Sequence, residues 1–325
     1  MVVSGASSGV GRAVARAFAA RGDRVALIAR RDEALERVAD EVRARGGEPL
    51  MLRADVADPT AVDACADAVA REWGGIDVWV NNAMVTVFAP VHQMTAEEYR
   101  RVTEVTYLGT VHGTLAALRH MRSAGRGAII QVGSALAYRS IPLQSAYCAA
   151  KSAIRGFTDS LRCELRHDRA RISLTMVQLP AVNTPQFDVC RTKLPHRSQP
   201  VPPIYQPEVI ARGVVYAADH PRRELWIAPS TYKAILGQRV APGLLDRYLA
   251  RTGYSAQMTQ EPTPEDAPDN LEEPVPGPGA AHGRFDPQAR PRSSQLWLRT
   301  HWRGAAATMA GAAATLVLAG LVRSR

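Results

Sequence analysis

Two hydrophobic rhythms alternate along this chain. Apolar runs of strand length fall near 24–29, 49–54, 76–81, 127–133, 171–179 and 223–228. Between them, near 10–21, 33–45, 60–73, 97–122, 147–166 and 207–219, apolar residues recur at helical spacing. Strands alternating with helices of this length predict parallel βαβ units joined by right-handed crossovers. The expected fold is therefore α/β, a three-layer doubly wound, mostly parallel sheet. Val2-Val3 supplies one more strand at the start. A central strand typically runs about 5–6 residues, so this reading places the true start upstream of Met1. No internal repeat is visible apart from the βαβ unit.

The pattern stops near residue 253. Residues 254–303 mix Pro262, Pro264, Pro268, Pro274, Pro276 and Pro278 with Glu261, Glu265, Asp266, Asp269, Glu272 and Glu273. So polar a composition predicts a disordered linker. Residues 304–322 carry no charge and approach the ~20 residues that span a bilayer, with Trp297 and Trp302 just before them as interfacial aromatics. Alanine and glycine dominate this stretch and insert weakly, which leaves a peripheral or unbound helix as the alternative. The expected organisation is one folded domain over 1–253, a Pro/acidic linker over 254–303, and a C-terminal hydrophobic helix over 304–322 that anchors the domain to the cytoplasmic side of a membrane.

Composition narrows the partners. With 325 residues and 46% hydrophobic content, material for a large core is ample. The formal charge of +9 comes from 40 Lys and Arg against 31 Asp and Glu, and only Lys151, Lys193 and Lys233 are lysines. The arginines are scattered rather than striped with aromatics, which argues against a nucleic-acid surface and leaves anionic cofactor or membrane phosphates to meet the positive field. Cys65, Cys148, Cys163 and Cys190 show no metal or redox spacing, and no secretory signal precedes the first strand. Free thiols, no metal site and a cytoplasmic location are expected.

The candidate chemistry lies at both ends of the domain. Ser4-Gly5-Ala6-Ser7-Ser8-Gly9-Val10-Gly11-Arg12 separates the first strand from the first helical pattern. Glycines here permit a tight turn and let backbone N–H groups approach a pyrophosphate at a helix N-terminus. The spacing GxxxGxG differs from the general dinucleotide fingerprint, and a flexible loop is the bland alternative. Tyr147 and Lys151 stand at i and i+4 on one helix face. An ammonium held there favours the phenolate and lowers a phenol pKa of ~10, fitting Tyr147 for proton exchange with an alcohol. Ser134 adds a hydroxyl that orients the substrate oxygen. Taken alone, a Tyr/Lys pair at this spacing is usually an ordinary helix-surface pair.

Together the motifs resemble the short-chain dehydrogenase/reductase family over about residues 1–250. Ser4–Gly11 is similar to the family's cofactor motif, Asn81-Asn82-Ala83 to its NNAG, and Ser134 with Tyr147 and Lys151 to its catalytic serine and YxxxK. The resemblance implies a Rossmann fold and a nicotinamide cofactor. That cofactor would be held by Gly5, Ser7, Ser8, Gly9, Val10 and Gly11, by Asp55 and Val56 at the adenine, by Asn81 and Ala83, by Tyr147 and Lys151 at the nicotinamide ribose, and by Thr184 at the carboxamide. For Asp55, capping of the next helix is an equal alternative. The family also often assembles as dimers or tetramers through its long helices, here near 97–122 and 147–166. Three positions depart from the pattern. Thr106 replaces an Asn that supports a proton relay from the lysine, Met84 replaces the glycine of NNAG, and Ala181 replaces the glycine after Pro180. Thr106 stays a catalytic candidate through a rerouted relay.

Arg30-Arg31 end the second strand. An acid there takes the ribose 2′-OH of NAD, whereas an arginine accommodates a 2′-phosphate. Bidentate guanidinium–phosphate pairing, with Arg12 as a second clamp, favours NADP(H) over NAD(H); the alternative is that Arg30 and Arg31 merely solvate a helix start. The proline-rich residues 185–206 are expected to form a lid over the cleft. The expected function is hydride transfer between NADP(H) and a small, lipophilic alcohol/carbonyl substrate, with Tyr147 as acid/base. The competing expectation, motivated by Thr106 and Met84, is a membrane-tethered NADP(H)-binding scaffold with little turnover.

Overall fold

The computed structural model describes residues 1–301. Seven strands, β1 (Val2–Ser4), β2 (Arg24–Ala29), β3 (Glu48–Arg53), β4 (Val78–Asn81), β5 (Gly127–Val132), β6 (Ile172–Gln178) and β7 (Glu224–Trp226), form one sheet in the order β3-β2-β1-β4-β5-β6-β7. Every pairing in it is parallel; Val3 of β1 lies beside Leu27 on one side and Val80 on the other. Only three residues long, β1 is still held between two neighbours.

Successive strand residues face opposite layers. Val3, Val80 and Ile130 join the apolar cluster shared with α1 (Gly9–Ala19), α2 (Asp32–Arg43) and α7 (Pro207–Asp219). Val2, Trp79 and Ile129 join the cluster shared with α3 (Pro59–Trp73), α5 (Gly109–Ala124) and α6 (Ser145–His167). The expected three-layer architecture is therefore present. Strand order reverses between β1 and β4, and such a switch point opens a ligand crevice at the strands' carboxyl ends.

Local chemistry sets the helix starts. Pro59 opens α3, and Asp58 Oδ1 accepts from the amides of Thr60 (2.9 Å) and Ala61 (3.2 Å). The preceding helix of the next unit, α4 (Ala96–Val102), begins with a Thr95/Glu98 capping box. In α1 the Ser8 side chain makes no cap bond, so the Val10 and Gly11 amides have no intrahelical acceptor. The helix expected over 97–122 is broken: Thr103–Leu108 is π-helical between α4 and α5, a local irregularity that often marks functional positions. Two helices escaped the sequence pattern, α8 (Pro229–Val240) and α9 (Pro242–Thr252). Only Thr231 and Ile235 are buried in α8, and nothing in α9, so neither carries an apolar stripe to read.

The segment expected to be a disordered linker packs on the domain instead. Met258–Pro262 pairs antiparallel with His196–Ser198, and Leu271, Ala281, Phe285, Ala289 and Leu296 are buried. A few well-spaced apolar anchors suffice because the domain supplies the opposing surface. The candidate anchor at 304–322, with Trp302, lies outside the described residues. Among the described residues no helix is long and apolar enough to cross a membrane.

One ion-pair cluster ties α1 to α2. Glu41 accepts from Arg12 Nε (3.1 Å) and Nη2 (2.9 Å) and from Arg16 Nε (2.7 Å) and Nη2 (2.5 Å). Burial pushes the Glu41 carboxyl up, but hydrogen bonds from Arg16 and Arg12 outweigh it and hold the pKa at about 2. A depressed carboxyl stabilises the fold above its unfolded value of about 4.5, and the contribution is lost as pH falls toward the folded value. Glu41→Gln is expected to cost about 1–3 kcal/mol, less than a fully buried pair because Glu41 keeps some solvent. Urea midpoints should differ at pH 7 and converge as the pH is lowered toward 3.

Candidate active site

At the switch point lies a cleft of about 930 Å³. Gly5, Ser7, Ser8, Gly9, Val10, Arg30, Asp55, Val56, Ala83, Ser134, Tyr147, Lys151 and Thr184 all line it. Gly5 has φ 66° and occupies the left-handed region that glycine adopts without steric cost. Of the sequence-derived candidates, Gly11, Asn81 and Thr106 do not line the cleft.

Each of the three has a structural task. A Cβ on Gly11 would sit 2.1 Å from the Gly5 carbonyl oxygen and 2.6 Å from Asn82 Nδ2, so Gly11 lets helix and turn approach. Buried Asn81 accepts from Trp79 Nε1 (2.8 Å) and donates to Thr114 Oγ1 (3.0 Å) and Gln131 Oε1 (2.9 Å). It is Asn82 that reaches the cleft, donating to the carbonyls of Ser4 (3.0 Å) and Gly5 (3.3 Å) and so fixing the glycine turn. Strand alternation decides between the two asparagines, and two adjacent Asn letters do not reveal it. Thr106 Oγ1 donates to the Val85 carbonyl (3.0 Å) and accepts from the Val85 amide (3.1 Å). It pins the loop that carries Ala83 and Met84, both of which line the cleft.

The expected effect of Lys151 on Tyr147 needs correction. Lys151 Nζ donates to the Val132 carbonyl (2.7 Å) and lies 5.6 Å from the Tyr147 ring centroid. Burial raises the Tyr147 pKa above its ordinary value, while a hydrogen bond from Ser134 pulls the other way and loses. Burial also depresses Lys151 to about 8, so its own charge is weakly held. Ser134 in turn accepts from the Leu136 amide (3.1 Å), which fixes its hydroxyl at the start of a single 3₁₀ turn.

A buried ammonium costs stability. Because the folded pKa of Lys151 lies below the unfolded value of 10.5, the unfolded chain binds more protons between about pH 8 and 10.5, and stability rises with pH in that window. Lys151→Met is therefore expected to stabilise the chain at pH 7 by about 1–3 kcal/mol while abolishing turnover. Thermal melts at pH 7 and 9.5 check it; the gain should be smaller at the higher pH.

At the other end of the cleft the sequence foresaw the arginines but not their partners. Asp55 accepts from Arg101 Nη2 (2.5 Å) and from the Ala57 amide (2.9 Å). Burial pushes its carboxyl up, and the Arg101 contact more than reverses this. Arg30 donates to the carbonyls of Asn270 (2.7 Å) and Glu272 (2.6 Å), and Arg31 to those of Val275 (2.5 Å) and Gly277. Burial lowers the pKa of both arginines. Arg12 is no free phosphate clamp: its fork is on Glu41, and its Nη1 donates to the Pro278 carbonyl (2.8 Å). No motif could have announced the contacts of Arg30 and Arg31 with residues 270–277, because the acceptors are backbone carbonyls.

The expected lid, 185–206, forms a wall of the cleft. It is held by three short pairings: Arg191–Thr192 with Val87–Phe88, His196–Ser198 with Met258–Pro262, and Ile204–Tyr205 with Ala181–Val182. Leu136, Ile141, Phe187, Val189, Leu245 and Tyr248 add apolar surface to the lining of the cleft.

Comparison with known proteins accords with this geometry. Residues 1–194 match the family model described as short chain dehydrogenase. The chain is 34% identical over 269 residues, 81% of its length and 74% of the relative's, to the uncharacterized oxidoreductase YxnA of Bacillus subtilis (strain 168). Among solved structures, a short-chain dehydrogenase from Streptomyces avermitilis superposes with a TM-score of 0.63 at 28% identity, covering 78% of this chain and 95% of that one. An alcohol dehydrogenase from the archaeon Thermococcus sibiricus, complexed with 5-hydroxy-NADP, gives 0.59 at 28% identity over 70% and 94%.

Proposed function

The chain belongs to the short-chain dehydrogenase/reductase family and is an oxidoreductase, and from that premise we propose that it interconverts a lipophilic alcohol and its ketone or aldehyde with NADP(H). One observation carries the reading: Ser134, Tyr147 and Lys151 share a single cleft with the glycine turn. The residues present fit a dinucleotide, because the uncapped first turn of α1 offers the Val10 and Gly11 amides to an anion and no Cβ blocks Gly5 or Gly11. When bound, the nicotinamide supplies or accepts the hydride.

The chain's own groups do the rest. Ser134 hydrogen-bonds the substrate oxygen, and Tyr147 passes its phenolic proton to that oxygen as the carbonyl is reduced, or takes one as the alcohol is oxidised. With its pKa raised, Tyr147 keeps its proton at neutral pH, the form that serves reduction. Lys151 places a cation behind the phenol, and Thr106 acts as a positioning residue through Val85. Arg30 and Arg31 favour the 2′-phosphate cofactor, in keeping with the NADP derivative named for the Thermococcus sibiricus structure. The apolar wall around Leu136, Ile141 and Tyr248 favours a lipophilic substrate.

The test is a titration of the full chain with NADPH and NADH by nicotinamide fluorescence, followed by turnover on a panel of aldehydes and ketones of increasing lipophilicity. Tighter NADPH binding and rising kcat/KM along the panel support the reading. Tight binding without turnover of any carbonyl or alcohol favours a binding scaffold.

A further inference from the structure

The segment 270–280 lies along the cofactor end of the cleft and engages, one after another, the donors that a dinucleotide would need. The Ala280 carbonyl accepts from the Gly9 amide (2.8 Å) and from Ser8 Oγ (3.0 Å) at the start of α1. The carbonyls of Gly277 and Val275 take Arg31, and those of Glu272 and Asn270 take Arg30. Farther along, Leu271 is fully buried in the apolar cluster that includes Ala54, Val56 and Val105, and its carbonyl accepts from Arg101 Nε (3.0 Å) beside Asp55. Asn270, Pro274, Val275, Pro276, Gly277, Pro278 and Gly279 thus line the same cleft as the glycine turn.

We propose that residues 270–280 are an internal strap standing in for the adenosine-diphosphate half of the cofactor, and that cofactor binding displaces it. The proposal rests on the reading of this cleft as an NADP(H) site. Its chemistry is substitution of like for like. Neutral carbonyl oxygens occupy donors suited to phosphate and ribose oxygens, and Leu271 fills apolar space next to Val56. The guanidinium groups bind a phosphate more strongly than a carbonyl, since both partners are then charged. The strap also buries Asn270 Oδ1 without a hydrogen-bond partner among the described residues, a cost its release removes. Acidic Glu272 and Glu273 lie near Arg101 and Arg30 respectively, so strap and 2′-phosphate cannot share that corner without repulsion. Bound and strapped states therefore exclude each other at the adenosine end, while Ser134 and Tyr147 line the cleft in both.

Gly279 allows the strap to be loosened by a change within the strap itself. It has φ +65°, and a Cβ there would lie 2.5 Å from the Ser7 carbonyl oxygen, so Gly279→Ala forces the strap off the turn. Hydrogen exchange of the unaltered full chain is measured over 269–281 with and without NADPH, and NADPH affinity is measured for both chains. Expected are faster exchange of the Asn270 and Leu271 amides when NADPH is bound, and about tenfold tighter NADPH binding by Gly279→Ala. Slower exchange with NADPH, or weaker binding by the variant, would overturn the proposal in favour of a clasp that holds the cofactor. Unchanged exchange and affinity, with NADPH still bound, would overturn it too and leave the cofactor reading intact. Absence of NADPH and NADH binding by both folded chains would instead sink the cofactor reading and the strap with it.

Discussion

Tyr147→Phe should retain NADPH affinity within about twofold and lose turnover by a factor of about 10²–10⁴, the usual worth of a positioned acid/base. That loss corresponds to about 3–5 kcal/mol of transition-state stabilisation. The substitution removes one oxygen from a ring that faces the cleft, so neither the packing of α6 nor the glycine turn is disturbed. Both kcat and kcat/KM should fall together, because the proton moves only as the substrate oxygen gains or loses charge. The pH profile sharpens the test. With Tyr147 raised and Lys151 at about 8, the reductive rate of the wild type should hold at neutral pH and decline as Lys151 loses its charge above about 8. Loss of turnover by the Phe variant at every pH, with NADPH affinity retained, would show that Tyr147 carries the proton. Retention of full turnover would move the acid role to Ser134 or to solvent.

Arg30→Ala should weaken NADPH binding about 10- to 100-fold, since hydrogen bonds to a charged group contribute about 1.5–3 kcal/mol. NADH binding should be unchanged or tighter. The asymmetry follows from what Arg30 holds: it lies 4.0 Å from Asp55 and donates to the Asn270 and Glu272 carbonyls. On the proposed NADP(H) reading, removing it deletes a 2′-phosphate partner and loosens the strap at once, and only the second effect reaches NADH. Fluorescence titration with both cofactors separates the two. Equal losses for both would show that Arg30 acts by shaping Asp55 and not by contacting phosphate.

How much of this was legible beforehand depended on the kind of contact. Six strand positions and five helices were visible because apolar runs and helical spacing survive any change of neighbour, and the sixth, over 97–122, is interrupted by the π-helical Thr103–Leu108. The Tyr147/Lys151 pair was visible because a helix fixes residues four apart on one face. Asn81 and Asn82 were not separable, since a shift of one residue along β4 exchanges core for cleft. Helices α8 and α9 were missed for lack of a buried stripe.

The sequence by itself determined the layered sheet, the glycine turn and the trio of Ser134, Tyr147 and Lys151, all of which depend on short-range spacing. Tertiary structure alone decided the direction of the Tyr147 shift, because burial raises its pKa against the hydrogen bond from Ser134, while Lys151 Nζ is turned to the Val132 carbonyl. It also decided the fate of residues 270–285. Their composition lacks the apolar density of a core, but Leu271 and Phe285 need only two sites on an already folded surface. The remaining bonds run through carbonyl groups that every residue carries, so composition could not reveal where they would dock.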